Sequence, residues 1–126
     1  MLYTLLIYEN AAELEADPDA QRRHAAEFGE SVAGVADKIR GGAPLKPTEQ
    51  ATTIRVRNGE TITTDGPFAE TKEILAGFFI LELDNLDEAL AAAAKIPVAR
   101  YGAVEVRPVA TELQEMVDEE SGGRHP

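Results

Sequence analysis

The chain contains no cysteine. That absence excludes disulfides, thiolate nucleophiles and every zinc site built on sulfur. Histidine is nearly as scarce, with His24 and His125 far apart in the sequence. Two separated imidazoles make a poor transition-metal site, and carboxylates alone would hold only a weakly bound hard cation. No metal and no cofactor are therefore expected. Basic residues are outnumbered, 12 against 23 acidic, for a net charge of −11. A balance of that sign argues against nucleic acid and anionic membrane as partners, because both select a basic face. Long apolar runs are missing too. The opening MLYTLLIYEN has no basic lead and is too short to export or span, so cytoplasmic residence is the expectation. There is no Walker loop, GxGxxG, HExxH or nucleophile elbow, and no internal repeat.

What is present is one domain's worth of chain: 126 residues, 44% of them hydrophobic, enough to bury a real core. Residues 1–110 read as the folded domain and 111–126 as an acidic, frayed tail with at most a helical turn up to Val117. Residues 2–8 form a strand apolar on both faces, with Tyr3 and Tyr8 on opposite sides. Residues 9–17 read as a loop. Asp17-Pro18-Asp19 opens a helix, with Asp17 as cap and Pro18 at the first position. Its stripe of His24, Phe28, Val32, Val35 and Ile39 predicts helix to about Arg40, stopped by Gly41-Gly42. Residues 43–47 are extended, and their prolines suit an edge or a connection.

Residues 52–57 and 60–64 read as a hairpin about Asn58-Gly59. A two-residue loop would set Ile62 opposite Arg55 and mix the faces. A three-residue loop, Arg57-Asn58-Gly59, would set Ile62 opposite Ile54. One-sided burial favours the second. Residues 76–83 make another strand apolar on both faces. Asn85 caps a second helix, with Glu88 in capping-box position. Leu86, Leu90 and Ala93 form its stripe and Pro97 ends it. Residues 103–109 are the last strand. The order predicts an α+β fold, a ferredoxin-like βαββαβ unit with the hairpin inserted. Both helices would cover one sheet face. Two strands apolar on both sides then call for a second cover, which a symmetric homodimer supplies sheet to sheet.

The segment between hairpin and long strand, Asp65-Gly66-Pro67-Phe68-Ala69-Glu70-Thr71-Lys72-Glu73, is loop chemistry at its start. Read whole, DGPFAETKE resembles the signature of the DGPFAETKE family of YCII-related proteins. Ala76-Gly77-Phe78-Phe79 and Glu105-Val106-Arg107-Pro108 are similar to the family's other marks, and the likeness covers residues 1–110. The resemblance implies a dimeric α+β barrel built on the ferredoxin-like unit. Family members carry an Arg-x-x-His-like start to the first helix, which Arg22-Arg23-His24 approximates. Their histidine is thought to pair with an aspartate in a cleft. The wider group includes a dehydrochlorinase acting on a muconate-like acid, and related barrels host isomerases and monooxygenases. Family members are also associated with extracytoplasmic-type sigma factors.

Each candidate residue has two readings. His24, on the apolar stripe, is either an acid or base near neutral pH or a half-buried histidine bonding a backbone carbonyl. Asp65 either partners that imidazole or closes a turn on its own backbone. Phe68 walls a pocket or anchors the loop in the core. Glu70 and Lys72 bind a polar ligand or form a surface ion pair. Arg107 shares a strand face with Glu105. It holds a substrate carboxylate or makes a structural salt bridge. His125 has no assigned role. The functional expectation is a cofactor-free enzyme that performs proton transfer or elimination on a small organic acid-like substrate, with His24 and Asp65 catalytic. Phe68, Glu70, Lys72 and Arg107 would bind the substrate. The alternative is a non-catalytic dimer that binds a small ligand or a regulatory partner.

Overall fold

The computed structural model describes residues 1–10 and 19–122. The expected Asp17 cap, most of the 9–17 loop and His125 lie outside them. Strand β1 (Leu2–Asn10) runs antiparallel between β5 (Glu73–Glu82) and β6 (Ala103–Pro108). Edge strand β2 (Ile39–Pro44) pairs with β5, so the sheet order is β2-β5-β1-β6. Helix α1 (Ala20–Val32) crosses from β1 to β2 and α2 (Leu86–Ala94) from β5 to β6. This is the ferredoxin-like βαββαβ arrangement. The hairpin of β3 (Thr52–Arg57) and β4 (Glu60–Asp65) is inserted between its second and third strands as a separate two-stranded sheet. A last helix, α3 (Thr111–Glu120), follows β6. Among the described residues no helix is long and apolar enough to cross a membrane.

Alternation in the strands decides the core. Tyr3, Leu5 and Ile7 of β1 are buried with Phe79 and Leu81 of β5. Val104 and Val106 of β6 join them. Ala89 and Ala93 of α2 and Phe28 and Val32 of α1 pack on this face, with Phe28 edge-on to Phe79 at 5.5 Å. Tyr8 lies on the opposite face beside Leu6, Phe78 and Ile80, all half-buried. The Asn85 cap forms as expected: its Oδ1 accepts from the Glu88 N–H at 3.0 Å. The returning bond differs by one residue, since Glu88 accepts from the Asp84 N–H.

Four local expectations are corrected. The first helix ends at Val32, not Arg40. A 3-10 stretch, Ala33–Lys38, follows, with Val35 outside helical geometry. Gly34 weakens the helix there, and residues 39–44 gain ladder bonds to β5 instead. Gly41-Gly42 is therefore strand, not helix stop. The hairpin uses the two-residue loop: Arg55 faces Ile62 and Ile54 faces Thr63. Asn58 and Gly59 both have positive φ, 53° and 78°, the geometry of a tight primed turn that matches strand twist. Neither hairpin face is buried, so burial has no grip on its register. Helix α2 buries Ala89 and Ala93 while Leu86 and Leu90 stay half-exposed. Small side chains let the helix approach the sheet closely. The tail expected to fray is the ten-residue helix α3.

One glycine is set by contact. A methyl on Gly42 would lie 2.5 Å from the Phe78 carbonyl oxygen and 2.6 Å from Phe79 Cα, at a φ of +142°. Gly29, inside α1, has nothing within 4 Å. The same substitution therefore has opposite signs at the two sites. Gly42→Ala is expected to lower stability by roughly 1–3 kcal/mol, and Gly29→Ala to raise it by about 0.5–1 kcal/mol. Urea melts of both variants check the pair.

Candidate functional site

Pairing of β2 with β5 stops at Pro44 opposite Gly77, whereas β5 runs on to Glu73. Between that gap, the end of β1, helix α1 and the segment after β2 lies a cleft of about 820 Å³. A cleft this size suits a small organic ligand. Its walls are mostly apolar, with Phe28, Ile39, Leu75 and Phe79 among them. Few polar side chains reach it: Glu9 and His24, with Lys46, Thr48 and Glu49 from the segment after β2. Leu45 N–H bonds the Ala76 carbonyl at 2.8 Å and ties that segment to β5.

His24 sits on the sheet-facing side of α1. Its ring stacks on Tyr101 at 4.8 Å and 28°. Tyr101 follows a 3-10 turn, Pro97–Arg100, which Arg100 ties to Glu27 of α1 at 3.2 Å. Gly102 then allows close approach to the Tyr8 carbonyl, where a Cβ would collide. The His24 Nδ1 atom is sealed from solvent and has no hydrogen-bond partner among the described residues. Among the described residues no backbone carbonyl accepts from this nitrogen, as it would in a purely structural histidine. An unpaired buried acceptor is cheaper than an unpaired buried donor, so the favoured neutral tautomer carries its proton on Nε2.

Glu9 continues the buried side of β1 one step beyond Ile7. Burial pushes its carboxyl above the ordinary range, and attraction to the protonated form of the His24 ring acts in the opposite direction. Glu9 is the partner that sequence reasoning missed. The signal was there: positions 3, 5, 7 and 9 share one strand face. Assigning residue 9 to a loop hid it.

The other candidates stand elsewhere in the chain. Asp65 ends β4, exposed and opposite Thr52. The turn beyond it is closed by the Thr53 hydroxyl donating to the Gly66 carbonyl at 2.9 Å and the Gly66 N–H donating to the Ala51 carbonyl at 2.7 Å. Phe68 is 79% exposed, which is not core anchoring. Glu70 and Lys72 are exposed on the same loop. Arg107 projects from β6 on the opposite sheet face. There Nε and Nη2 donate to Glu105 Oε2 at 3.0 and 2.5 Å, and the Tyr8 hydroxyl donates to Glu105 Oε1 at 3.4 Å. None of Asp65, Phe68, Glu70, Lys72 and Arg107 lines the cleft that holds His24. No group of three or more metal-binding side chains occurs among the described residues.

The raised Glu9 carboxyl has a definite linkage sign. Its native state holds the proton more tightly than the unfolded chain does. The stability it contributes is therefore complete below the unfolded value, near 4.5, and is lost as pH rises through the higher native value. Glu9→Gln mimics the protonated form. It is expected to match wild type near pH 4 and to melt at higher temperature than wild type at pH 7. Thermal melts across that range check it.

Residues 1–113 match the YCII-related domain family. A curated relative, the uncharacterised protein R00369 of Rhizobium meliloti (strain 1021), is 49% identical over 77 residues, covering 60% of this chain. The match spans 62% of that relative's length. Among solved structures the chain is similar to 5-chloro-2-hydroxyhydroquinone dehydrochlorinase (TftG) from Burkholderia phenoliruptrix AC1100, in complex with 2,5-dihydroxybenzoquinone. That likeness has a TM-score of 0.49 at 19% identity, and covers 86% of this chain and 93% of that one. With its match over nearly the whole folded domain, the chain belongs to the YCII-related domain family.

Proposed function

We propose that the chain is an acid/base enzyme that moves a proton on a small, largely apolar organic molecule bound in the cleft. The observation that carries this reading is the His24 imidazole, stacked on Tyr101 with its buried Nδ1 unpaired among the described residues, in the same cleft as a carboxyl that burial has raised. A carboxylate with a raised pKa is a stronger base than an exposed one. Glu9 takes the proton from a carbon next to a carbonyl, and the electron pair of the C–H bond moves onto the carbonyl oxygen. The Nε2–H of His24 donates to that developing oxyanion. Return of the proton to another carbon completes an isomerisation; departure of a neighbouring leaving group with its bonding pair completes an elimination. Apolar walls keep competing water away and strengthen both interactions.

The same reading assigns the second sheet face to a second copy of the chain. Leu6, Phe78 and Ile80 form its apolar centre. The Glu105–Arg107 pair at its margin is self-complementary under a two-fold axis, as an isologous interface requires.

Small carboxylic acids and lactones are the probes for the site. A ligand of the folded protein raises its melting temperature, and one seated in the cleft is expected to lose that effect in His24→Ala. Exchange of its α-protons in D2O, followed by NMR, is expected to fall about 10²–10⁴-fold in Glu9→Gln. Binding that survives both substitutions with no exchange in wild type would replace the enzyme with a ligand-binding module. Light scattering is expected to give twice the chain mass, falling to one in Phe78→Asp.

A further inference from the structure

The cleft carries opposite charge on its two sides. Glu9 reaches it from β1, His24 from α1, and Lys46, Thr48 and Glu49 from the segment after β2. Lys46 is the one basic side chain among its lining residues. It forms no salt bridge among the described residues, in a chain with 23 acidic residues to 12 basic. On open surface an unpaired lysine is simply solvated. Beside an apolar wall its charge is available to a ligand.

Strand geometry fixes where Lys46 stands. β2 lies on one side of β5 and β1 on the other. Gly42 faces Phe79 and Pro44 faces Gly77 across the ladder. The bond from the Leu45 N–H to the Ala76 carbonyl carries that course one residue further. Phe79 is buried on the face that α1 covers, edge-on to Phe28. Alternation puts positions 42, 44 and 46 on that same face. Pro47 is still extended, at φ −55° and ψ 154°, so the alternation holds through Lys46. Glu9 shares the face from β1, opposite Ile74. Because β2 runs antiparallel to β5, Lys46 lies past the level of Ala76, toward that of Ile74.

Two strand spacings, about 10 Å in all, therefore separate the Glu9 and Lys46 backbones. Side chains stand roughly perpendicular to a sheet, so the carboxyl and the ammonium are separated by a similar distance. A polar contact at each end takes about 3 Å and leaves about 4 Å for the ligand. That is the span from a carbon beside a ring ketone to a carboxylate across a six-membered ring.

We propose that Lys46 selects the substrate, and that the substrate is a keto acid. Its carboxylate pairs with the Lys46 ammonium about one ring away from the C–H that Glu9 deprotonates. Thr48 brings a hydroxyl donor to the same side, and Glu49 opposes the anion there. The position of the reacting carbon rests on the acid/base reading of the cleft. The choice of an anion by Lys46 does not.

The probes are 4-oxocyclohexanecarboxylate and its neutral carboxamide, which share ring, ketone and α-protons and differ in charge. Calorimetric titration of wild type is expected to show the carboxylate bound about tenfold more tightly, with the preference shrinking at high salt. Lys46→Gln is expected to equalise the two probes, Lys46→Arg to keep the preference, and Glu49→Gln to increase it. Arg57→Gln removes the same charge from the hairpin, outside the cleft, and is expected to change nothing. Exchange of the ring's α-protons in D2O supplies the second measurement. In Lys46→Gln the carboxylate concentration for half-maximal exchange is expected to rise about tenfold while the maximal rate holds. A wild type that fails to bind the carboxylate, or binds both probes equally, overturns the proposal. So does a preference that Lys46→Gln retains. Charge-selective binding without exchange keeps the anion site and overturns the proton-transfer reading. Equal exchange of both probes, unchanged in Lys46→Gln, keeps that reading and overturns the anion site.

Discussion

The fold depends on one antiparallel pair, β1 with β5. Tyr3, Leu5 and Ile7 meet Leu81, Phe79 and Gly77 across the ladder. Both crossing helices gather on that face, because it is where apolar surface leaves water. The candidate site hangs from the far end of the pair. The next position on the same side is Glu9, so a carboxyl arrives where the core runs out. β5 gains an extra residue there, between the positions opposite Ile7 and Tyr8, and β2 no longer covers it. The cleft is the space left by a short edge strand beside a long central one.

The groups in that space work against stability. Burial disfavours the charged form of the Glu9 carboxyl, and the His24 Nδ1 is sealed without a partner among the described residues. A well-satisfied interior avoids both. Where a fold keeps such groups, and holds them with a stacked tyrosine, an arginine–glutamate tie and a glycine that admits close approach, function is the physical explanation that fits. The shape of β2 belongs to the same economy of space. Gly42 lets its backbone lie against Phe78 and Phe79, and Pro44 ends its pairing.

The most informative stretch of sequence is not the wall of the cleft. Asp65 to Lys72 forms the root of the hairpin, on the surface of the chain. Its residues close turns and lead the chain from a projecting ribbon back into β5. The hairpin register shows the same limit at smaller scale. A burial argument favoured the wider loop, but neither hairpin face is buried. The backbone twist that Asn58 and Gly59 accommodate decided instead.

By itself the sequence determined what local physics decides. Strand alternation placed Tyr3 and Tyr8 on opposite faces. Asn85 and Glu88 set the start of α2. Their order with the flanking strands specified the ferredoxin-like unit. Spacing put His24 on the inner stripe of α1. Only the tertiary structure decided where competing local preferences balance. It turned residues 39–42 from a helix end and its glycine stop into edge strand, because ladder bonds to β5 outweigh a helix weakened at Gly34. It chose Ala89 and Ala93 over the leucines for the buried face of α2, because close approach outweighs side-chain size. It also joined His24 to Glu9, fifteen positions away, rather than to Asp65, forty-one away. No pattern along the chain encodes that choice, since it follows from how far β1 runs past the helices that cover it.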